Sequence, residues 1–290
     1  MIDLHLHSSF SDGFDSPSQL IEKALQLNLK AIALTDHDVI DGLSEFLSYG
    51  ESTDIIVIPG IEISLKHEPV RELIDIHIVG LNIDINSVKL KKILNKQLKG
   101  RLNQKKDICR RLREEFGYDI TYKEVQAIAG STSIGRPHIV EVVIRNNPDM
   151  VKDKTKNSLF QMISIGGSAF VEREFELDLE SAIDLINSAG GIPILAHPGI
   201  YSVFNRSKFV QLCVEAGIKG IEIEYTYSKN RPFYNTNKAE WAQEILPNYY
   251  RKLADKFNLI KSGGSDYHGG KKGINIGDAK VPDSYLKDFI

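Results

Sequence analysis

His5 and His7 stand two residues apart in IDLHLH, a stretch whose apolar alternation reads as a strand. Side chains on a strand alternate between its faces, so both imidazoles leave one side while Leu4 and Leu6 leave the other. Two imidazoles converging from one strand suit a divalent metal. The following loop, SSFSDG, adds the carboxylate of Asp12 at the end of that strand. TDHD at 35–38 closes a second strand. There His37 is the ligand candidate, whereas Asp36 and Asp38 read equally well as turn residues or helix caps. Glu62 lies in PGIEIS between two isoleucines, where a carboxylate is costly to bury without a cation or a set of donors. His77 in DIHIV has the same kind of apolar setting. His197 follows IPILA and precedes Pro-Gly, and Asp266 and His268 follow the strand LIKS within GSDYH.

Taken singly, each of these residues has an ordinary structural explanation, such as an ion pair or a core histidine. As a set they do not. His5, His7, Asp12, His37, Glu62, His77, His197, Asp266 and His268 all fall at predicted strand ends or on apolar strand faces. No thiolate joins them, and a mixed imidazole–carboxylate set suits manganese, zinc or iron better than calcium or magnesium alone. The donors exceed the needs of one ion, so two or three divalent ions are expected. No serine or cysteine stands out as a nucleophile.

The elements that must carry these side chains alternate. Strand patterns such as KAIAL, IIVIPGIEISL and ELIDIHIVGLNI are separated by helical ones, the first opened by Ser16 as N-cap and Pro17 at the first helical position. This alternation predicts an α/β fold with a largely parallel sheet, whose strand ends are where such proteins build sites. Between Ser87 and Gly167 the pattern changes. Leu90, Leu94, Leu98, Leu102, Cys109, Leu112 and Phe116 recur at helical spacing, interrupted by Gly100, and three shorter helical patterns follow. Residues 87–167 therefore read as a helical insertion, a cap, within a barrel formed by 1–86 and 168–290. The long segment 226–250 is assigned no role.

Composition narrows the function classes. No apolar run approaches the ~20 residues needed to span a bilayer, so no membrane partner is expected. MIDLHLHSSF carries neither a basic region nor an apolar signal core, and secretion by a signal peptide is not expected. Cys109 and Cys213 belong to no CxxC pair, which excludes a thiolate zinc finger and fits a cytoplasmic location. The formal charge of −3 hides an asymmetry: eleven Lys or Arg and one acid, Asp107, lie between Lys89 and Arg113. On one helix Lys89, Lys92, Lys96, Lys99, Lys106, Arg110 and Arg113 would form a basic stripe suited to a short single-stranded RNA or DNA. No stable protein partner is implied.

The motifs DLHLHSSFSDG, TDHD, PGIEIS, DIHIVGLNID, LAHPG and GSDYHG, taken in this order, resemble those of the polymerase-and-histidinol-phosphatase (PHP) family of metal-dependent phosphoesterases. The resemblance implies a distorted (β/α)7 PHP barrel with its metals at the carboxyl ends of the strands. It implies that His5, His7, Glu62 and Asp266 hold one ion, that a bridging Glu62 with His77 and His197 holds a second, and that Asp12, His37 and His268 hold a third. Asp at position 12 and the GRPHIV segment resemble the branch that cleaves nucleoside 3′,5′-bisphosphates and trims short RNAs from the 5′ end. Arg136 and His138 match that branch's residues near the substrate phosphate, for binding or leaving-group assistance. Glu222 in GIEIEY matches an acid position of the family, with an ion-paired core carboxylate as the other reading. The expected reaction is hydrolysis of a small phosphorylated nucleotide by a metal-activated hydroxide, with manganese the first choice, zinc or iron next, and magnesium a weaker one. The alternatives are a small-molecule phosphatase, such as one acting on histidinol phosphate, and a metal-bound regulatory module without turnover.

Overall fold

Short runs rich in Ile, Leu and Ala, bounded by turn residues, form seven strands that are buried almost throughout. The computed structural model describes residues 1–129, 134–270 and 273–290. The strands are β1 (Ile2–Leu6), β2 (Ala31–Leu34), β3 (Ile56–Ser64), β4 (His77–Leu81), β5 (Ile192–Leu195), β6 (Gly220–Tyr225) and β7 (Ile260–Gly264), and they neighbour one another in chain order. The backbone just past β7 also bonds to β1, with Asp266 N donating to His5 O at 3.0 Å and His7 N to Tyr267 O at 3.1 Å. The sheet thus closes on itself as a barrel. Ile2, Leu4, Ala31, Ala33, Val79, Leu81, Ile194 and Ala196 form one core cluster, each strand contributing alternate residues.

The sheet is largely parallel, as expected, with one strand reversed. β1, β2 and β3 run parallel, as do β5, β6 and β7, but β4 is antiparallel to both its neighbours. The cause is the connection between β3 and β4. It holds only a single 3₁₀ turn at Pro69–Arg71, and a parallel pair needs a longer crossover, usually helical. The reversal has a consequence for the site. His77 is the first residue of β4 and pairs with Ser64 at the end of β3, so it reaches the end of the barrel where the parallel strands finish.

Helices follow the strands, starting with α1 (Pro17–Gln26), where Ser16 and Gln19 close a capping box. They continue with α2 (Leu43–Gly50), α3 (Val88–Glu114), α4 (Tyr122–Ala129), α5 (Arg136–Asn146), α6 (Pro148–Val151), α7 (Lys156–Met162), α8 (Leu179–Ser188), α9 (Arg206–Glu215) and α10 (Ala239–Phe257). The chain forms two compact units, Met1–Leu94 with Leu177–Ile290, and Asn95–Glu176. The first contains all seven strands. The second is helical and has its own core, built on Ile108, Leu112, Tyr118, Val125, Ile139 and Val142. Helix α3 runs through Gly100 without the interruption the sequence suggests. A Cβ at that position would come 3.0 Å from Phe175 O, so the glycine serves a close backbone approach. No helix among the described residues is long and apolar enough to cross a membrane.

Closure of the barrel rests on Gly264. A Cβ there would lie 2.3 Å from His5 Cβ and 2.5 Å from His5 N, and His5 has no room to move away. Gly264→Ala should therefore displace His5 and destabilise the fold by about 1–3 kcal/mol, the usual scale for overpacking a tight core. Thermal melting checks this, and a melting point equal to that of the wild type would refute it.

Candidate metal centre

Glu62 is completely buried in β3, and its two oxygens divide five imidazoles between them. Oε1 lies 2.9 Å from His77 Nδ1 and 2.9 Å from His197 Nε2. Oε2 lies 2.9 Å from His37 Nδ1 and 3.3 Å from both His5 Nε2 and His7 Nε2. Asp266 Oδ1 closes the β1 side, 3.2 Å from His7 Nε2 and 3.7 Å from His5 Nε2. Asp12 Oδ1 lies 3.2 Å from His268 Nε2 and 3.9 Å from His7 Nδ1 and His37 Nε2.

All nine side chains singled out in the sequence are thus brought together. Their donor atoms fall into four overlapping groups, each within 4.8 Å: His5, His7 and Asp266; His5, Glu62 and His197; His37, Glu62 and His77; and His7, Asp12, His37 and His268. The grouping differs from the resemblance: His37 joins Glu62 and His77, His5 joins Glu62 and His197, and His7 joins the Asp12 group. Several of these atoms make no hydrogen bond despite complete burial, namely His7 Nδ1, His37 Nδ1, His197 Nδ1 and Glu62 Oε2. Lone pairs directed at shared points without donors are what cations satisfy. The donor set fits divalent ions that accept nitrogen and oxygen.

A second set of residues aims these donors. Glu222 accepts from His5 Nδ1 at 2.8 Å and from the backbone N of His197 at 2.7 Å. This holds His5 in the tautomer that turns its Nε2 lone pair toward Glu62 and Asp266. Tyr225 donates its hydroxyl to Asp266 Oδ2 at 2.7 Å, and His77 N donates to the Tyr201 hydroxyl at 2.9 Å. Asp36 accepts from Ser8 N at 2.8 Å, from Ser8 Oγ at 2.6 Å and from Ser11 Oγ, fixing the loop that presents Asp12. Asp38 accepts from Ser64 N at 2.9 Å. Both aspartates of TDHD therefore hold loops in place. Backbone strain gathers here too, with Asp38, His197 and Asp266 at φ of 56°, 28° and 58°.

Sequence reasoning missed Tyr225, Tyr201 and the residues that wall the cleft. A cleft of about 520 Å³ opens over Asp12, His37, His77 and His268, and Lys229, Asn230, Arg231 and Tyr234 line it as well. These come from the start of segment 226–250, and its length was the only available signal. Glu224, two residues from Glu222, turns elsewhere and pairs with Arg251. Arg136 and His138 belong to the helical unit, where they open α5.

Electrostatics lock the cluster. Burial opposes ionisation of Glu62, yet His37, His5, His77 and His197 outweigh it and hold the carboxyl well below its usual range. Against the same burial penalty, His268 and His7 hold Asp266 low, and His268 and His37 hold Asp12 low. In turn, and again against burial, Glu222 and Glu62 push His5 well above the usual imidazole range, and Asp266 and Glu62 push His7 up to about 10. Metal binding requires neutral imidazole and ionised carboxylate. Near neutral pH the carboxylates are already ionised while His5 and His7 still carry protons. Binding of divalent ions should therefore release protons, and affinity should keep rising with pH toward about 10, where His7 deprotonates. Calorimetry in two buffers of different ionisation enthalpy measures the release, and none at all would contradict this assignment of charge.

Known proteins resemble this chain along most of its length. Residues 3–122 match the model of the PHP domain. The chain is 32% identical over 270 residues to a 5′-3′ exoribonuclease of Haemophilus influenzae, covering 92% of this chain and 89% of that protein. It is 28% identical to the phosphoribosyl 1,2-cyclic phosphate 1,2-diphosphodiesterase of Eggerthella lenta, over 92% of this chain and 94% of that one. It is also 28% identical to the 3′,5′-nucleoside bisphosphate phosphatase of Chromobacterium violaceum, over 95% and 90% respectively. A solved structure from Bifidobacterium adolescentis shares the fold, with a TM-score of 0.78 at 23% identity and coverage of 99% of this chain and 94% of that one. With its nine converging donors and a relative 32% identical along almost its whole length, the chain belongs to the PHP family of metal-dependent phosphoesterases.

Proposed function

We propose that this phosphoesterase acts on nucleotides, hydrolysing nucleoside 3′,5′-bisphosphates or the 5′ ends of short RNAs. The observation that carries the reading is the buried Glu62 carboxylate shared among five imidazoles, with Asp12 and Asp266 on either side, a donor set for several ions. The named relatives from Haemophilus and Chromobacterium point to the substrate class. Divalent ions held by the nine side chains, manganese first and zinc or iron next, with magnesium a weaker choice, would activate water, bind phosphoryl oxygens and offset charge on the leaving oxygen. The protein's own groups set the geometry for that chemistry. Glu222 and Tyr225 keep His5 and Asp266 aimed, and the Asp36 network keeps Asp12 in place.

Residues 87–167 read as the cap that presents Arg136 and His138 to a substrate phosphate. Arg136 Nη1 donates to Ser164 Oγ at 3.1 Å, which steadies the guanidinium. His138 Nδ1 accepts from Gly135 N at 3.1 Å, so neutral His138 carries its proton on Nε2 and can donate to a phosphate or leaving oxygen. The two buried cysteines, Cys109 and Cys213, are unpaired, which supports a reducing, cytoplasmic setting.

Manganese-dependent turnover across adenosine 3′,5′-bisphosphate, 5′-phosphorylated short RNA, a phosphoribosyl cyclic phosphate and histidinol phosphate tests the reading. Preference for either of the last two would overturn it. Arg136→Ala should keep its metals and melting point but lose catalytic efficiency worth about 1.5–3 kcal/mol, the scale of one charged hydrogen bond. Wild-type kinetics would return Arg136 to a surface role. The basic residues of α3 from Lys89 to Arg113 that share the stripe are all exposed, and Lys96 rests on the Phe175 ring at 3.9 Å. Neutralising Lys89, Lys92 and Lys99 should therefore weaken RNA cleavage and flatten its salt dependence while leaving bisphosphate hydrolysis unchanged. Equal losses on both substrates would count against an RNA track.

A further inference from the structure

The segment that follows β6 lines the metal cleft and is bonded to three neighbouring parts of the barrel unit. Thr226 Oγ1 donates to Ser265 O at 3.1 Å, beside β7. Lys229 Nζ reaches further along, donating to Gly273 O at 2.6 Å and to Asp278 Oδ2 at 2.7 Å. Ser228 N donates to Gln243 Oε1 on α10 at 3.2 Å. The segment also bonds to itself. Asn230 Nδ2 donates to Thr226 O at 3.2 Å and to Thr226 Oγ1 at 3.0 Å, and Asn230 O accepts from Phe233 N and Tyr234 N at 3.0 and 2.9 Å. Phe233 is buried, its ring centroid 6.4 Å from that of Trp241.

The Tyr234 side chain takes no part in these bonds. It lines the same cleft as His37, His77 and Asp266, yet the residue is 54% exposed, and its hydroxyl makes no hydrogen bond among the described residues. Tyr225, the other tyrosine lining the cleft, is buried and donates to Asp266. Ile200 adds an apolar surface, whereas the side chains of Lys229 and Asn230 are engaged with the protein. At about 520 Å³ the cleft has room for more than a phosphate group. A phosphate ester held at the ions must lead its organic half out along these residues. Every nucleobase has a π-face, whatever groups its edge carries, and an exposed aromatic ring stacks on it without reading the edge. Because the Tyr234 backbone is already fixed, little order remains to be imposed on binding.

We propose that Tyr234 stacks on the base of a nucleotide whose phosphate sits at the metal centre, and that the bonds of residues 226–234 hold it in place to do so. The proposal rests on the nucleotide reading and adds to it the residue that recognises the base, by its face, so that purines and pyrimidines are both accepted. Its test is equilibrium binding. Manganese-loaded protein is titrated in a calorimeter with adenosine 5′-monophosphate, uridine 5′-monophosphate and ribose 5-phosphate, which lacks a base. The wild type should bind both nucleotides more tightly than ribose 5-phosphate. Tyr234→Ala should weaken both nucleotides about 5- to 150-fold, the range of one stacked base, while ribose 5-phosphate affinity and metal content stay unchanged. Tyr234→Phe keeps the ring, drops the hydroxyl and should bind as the wild type does. An equal loss in Tyr234→Phe would assign the residue to a hydrogen bond and overturn stacking. Unchanged nucleotide affinity in Tyr234→Ala overturns the proposal too, as does an equal loss for ribose 5-phosphate, which would mean a disturbed cleft. A wild type that hydrolyses nucleotides while Tyr234→Ala binds them normally removes this proposal alone. A wild type that binds none of the three ligands removes the nucleotide reading with it.

Discussion

A carboxylate with no exposure to water, Glu62, is the constraint around which the barrel is arranged. Moving an ionised carboxylate from water into a protein interior costs several kcal/mol unless charges of opposite sign surround it. Here the compensation comes from five imidazoles delivered by four different strands or their loops. No single strand can supply that many donors around one side chain. The sheet must close, so that β1 with His5 and His7 meets the β7 end with Asp266 and His268. It must also contain one reversed strand, so that His77 begins where its neighbours finish.

Around these donors lies a layer of groups whose hydrogen bonds are complete where those of the donors are not. Glu222 serves His5 and the backbone of His197 at once, and Tyr225 serves Asp266. Four orphaned atoms, His7 Nδ1, His37 Nδ1, His197 Nδ1 and Glu62 Oε2, gather in the central set, as befits a candidate metal centre more than a cluster of ordinary core ion pairs. The irregularities of the sheet follow the same logic. Register shifts fall between Asp3 and Leu6 and between Glu222 and Glu224, beside His5 and Glu222. A bulge re-aims a side chain without ending the strand.

The helical unit applies a different balance of forces. Its core of Ile, Leu, Val and aromatic residues accounts for its stability, and the burial of Lys105 opposes it. The exposed lysines of α3 do not, since a solvated helix face carries charge at little cost. Burial distinguishes the two kinds of basic residue on a single helix.

The sequence by itself determined the strand and helix order, the helical middle of the chain and the nine donors, because each is local. Strand alternation places His5 with His7, and an acid between two isoleucines marks Glu62 whatever the fold around it. Tertiary structure alone decided what depends on strands meeting. The antiparallel course of β4 is invisible in DIHIV, since a strand's direction leaves no mark on its own alternation. Glu222 and Glu224 look equivalent in GIEIEY, yet a register shift sends one to His5 and the other to Arg251. Asp36 and Asp38 flank a ligand candidate but hold loops, a role set by Ser8, Ser11 and Ser64 arriving from elsewhere. Lys105 sits in a run of eleven basic residues between Lys89 and Arg113, and nothing in that run marks it as different. Only the packing of Val171 and Arg173 around Gln104 shows that this one is enclosed, because burial is a property of neighbours and not of the residue itself.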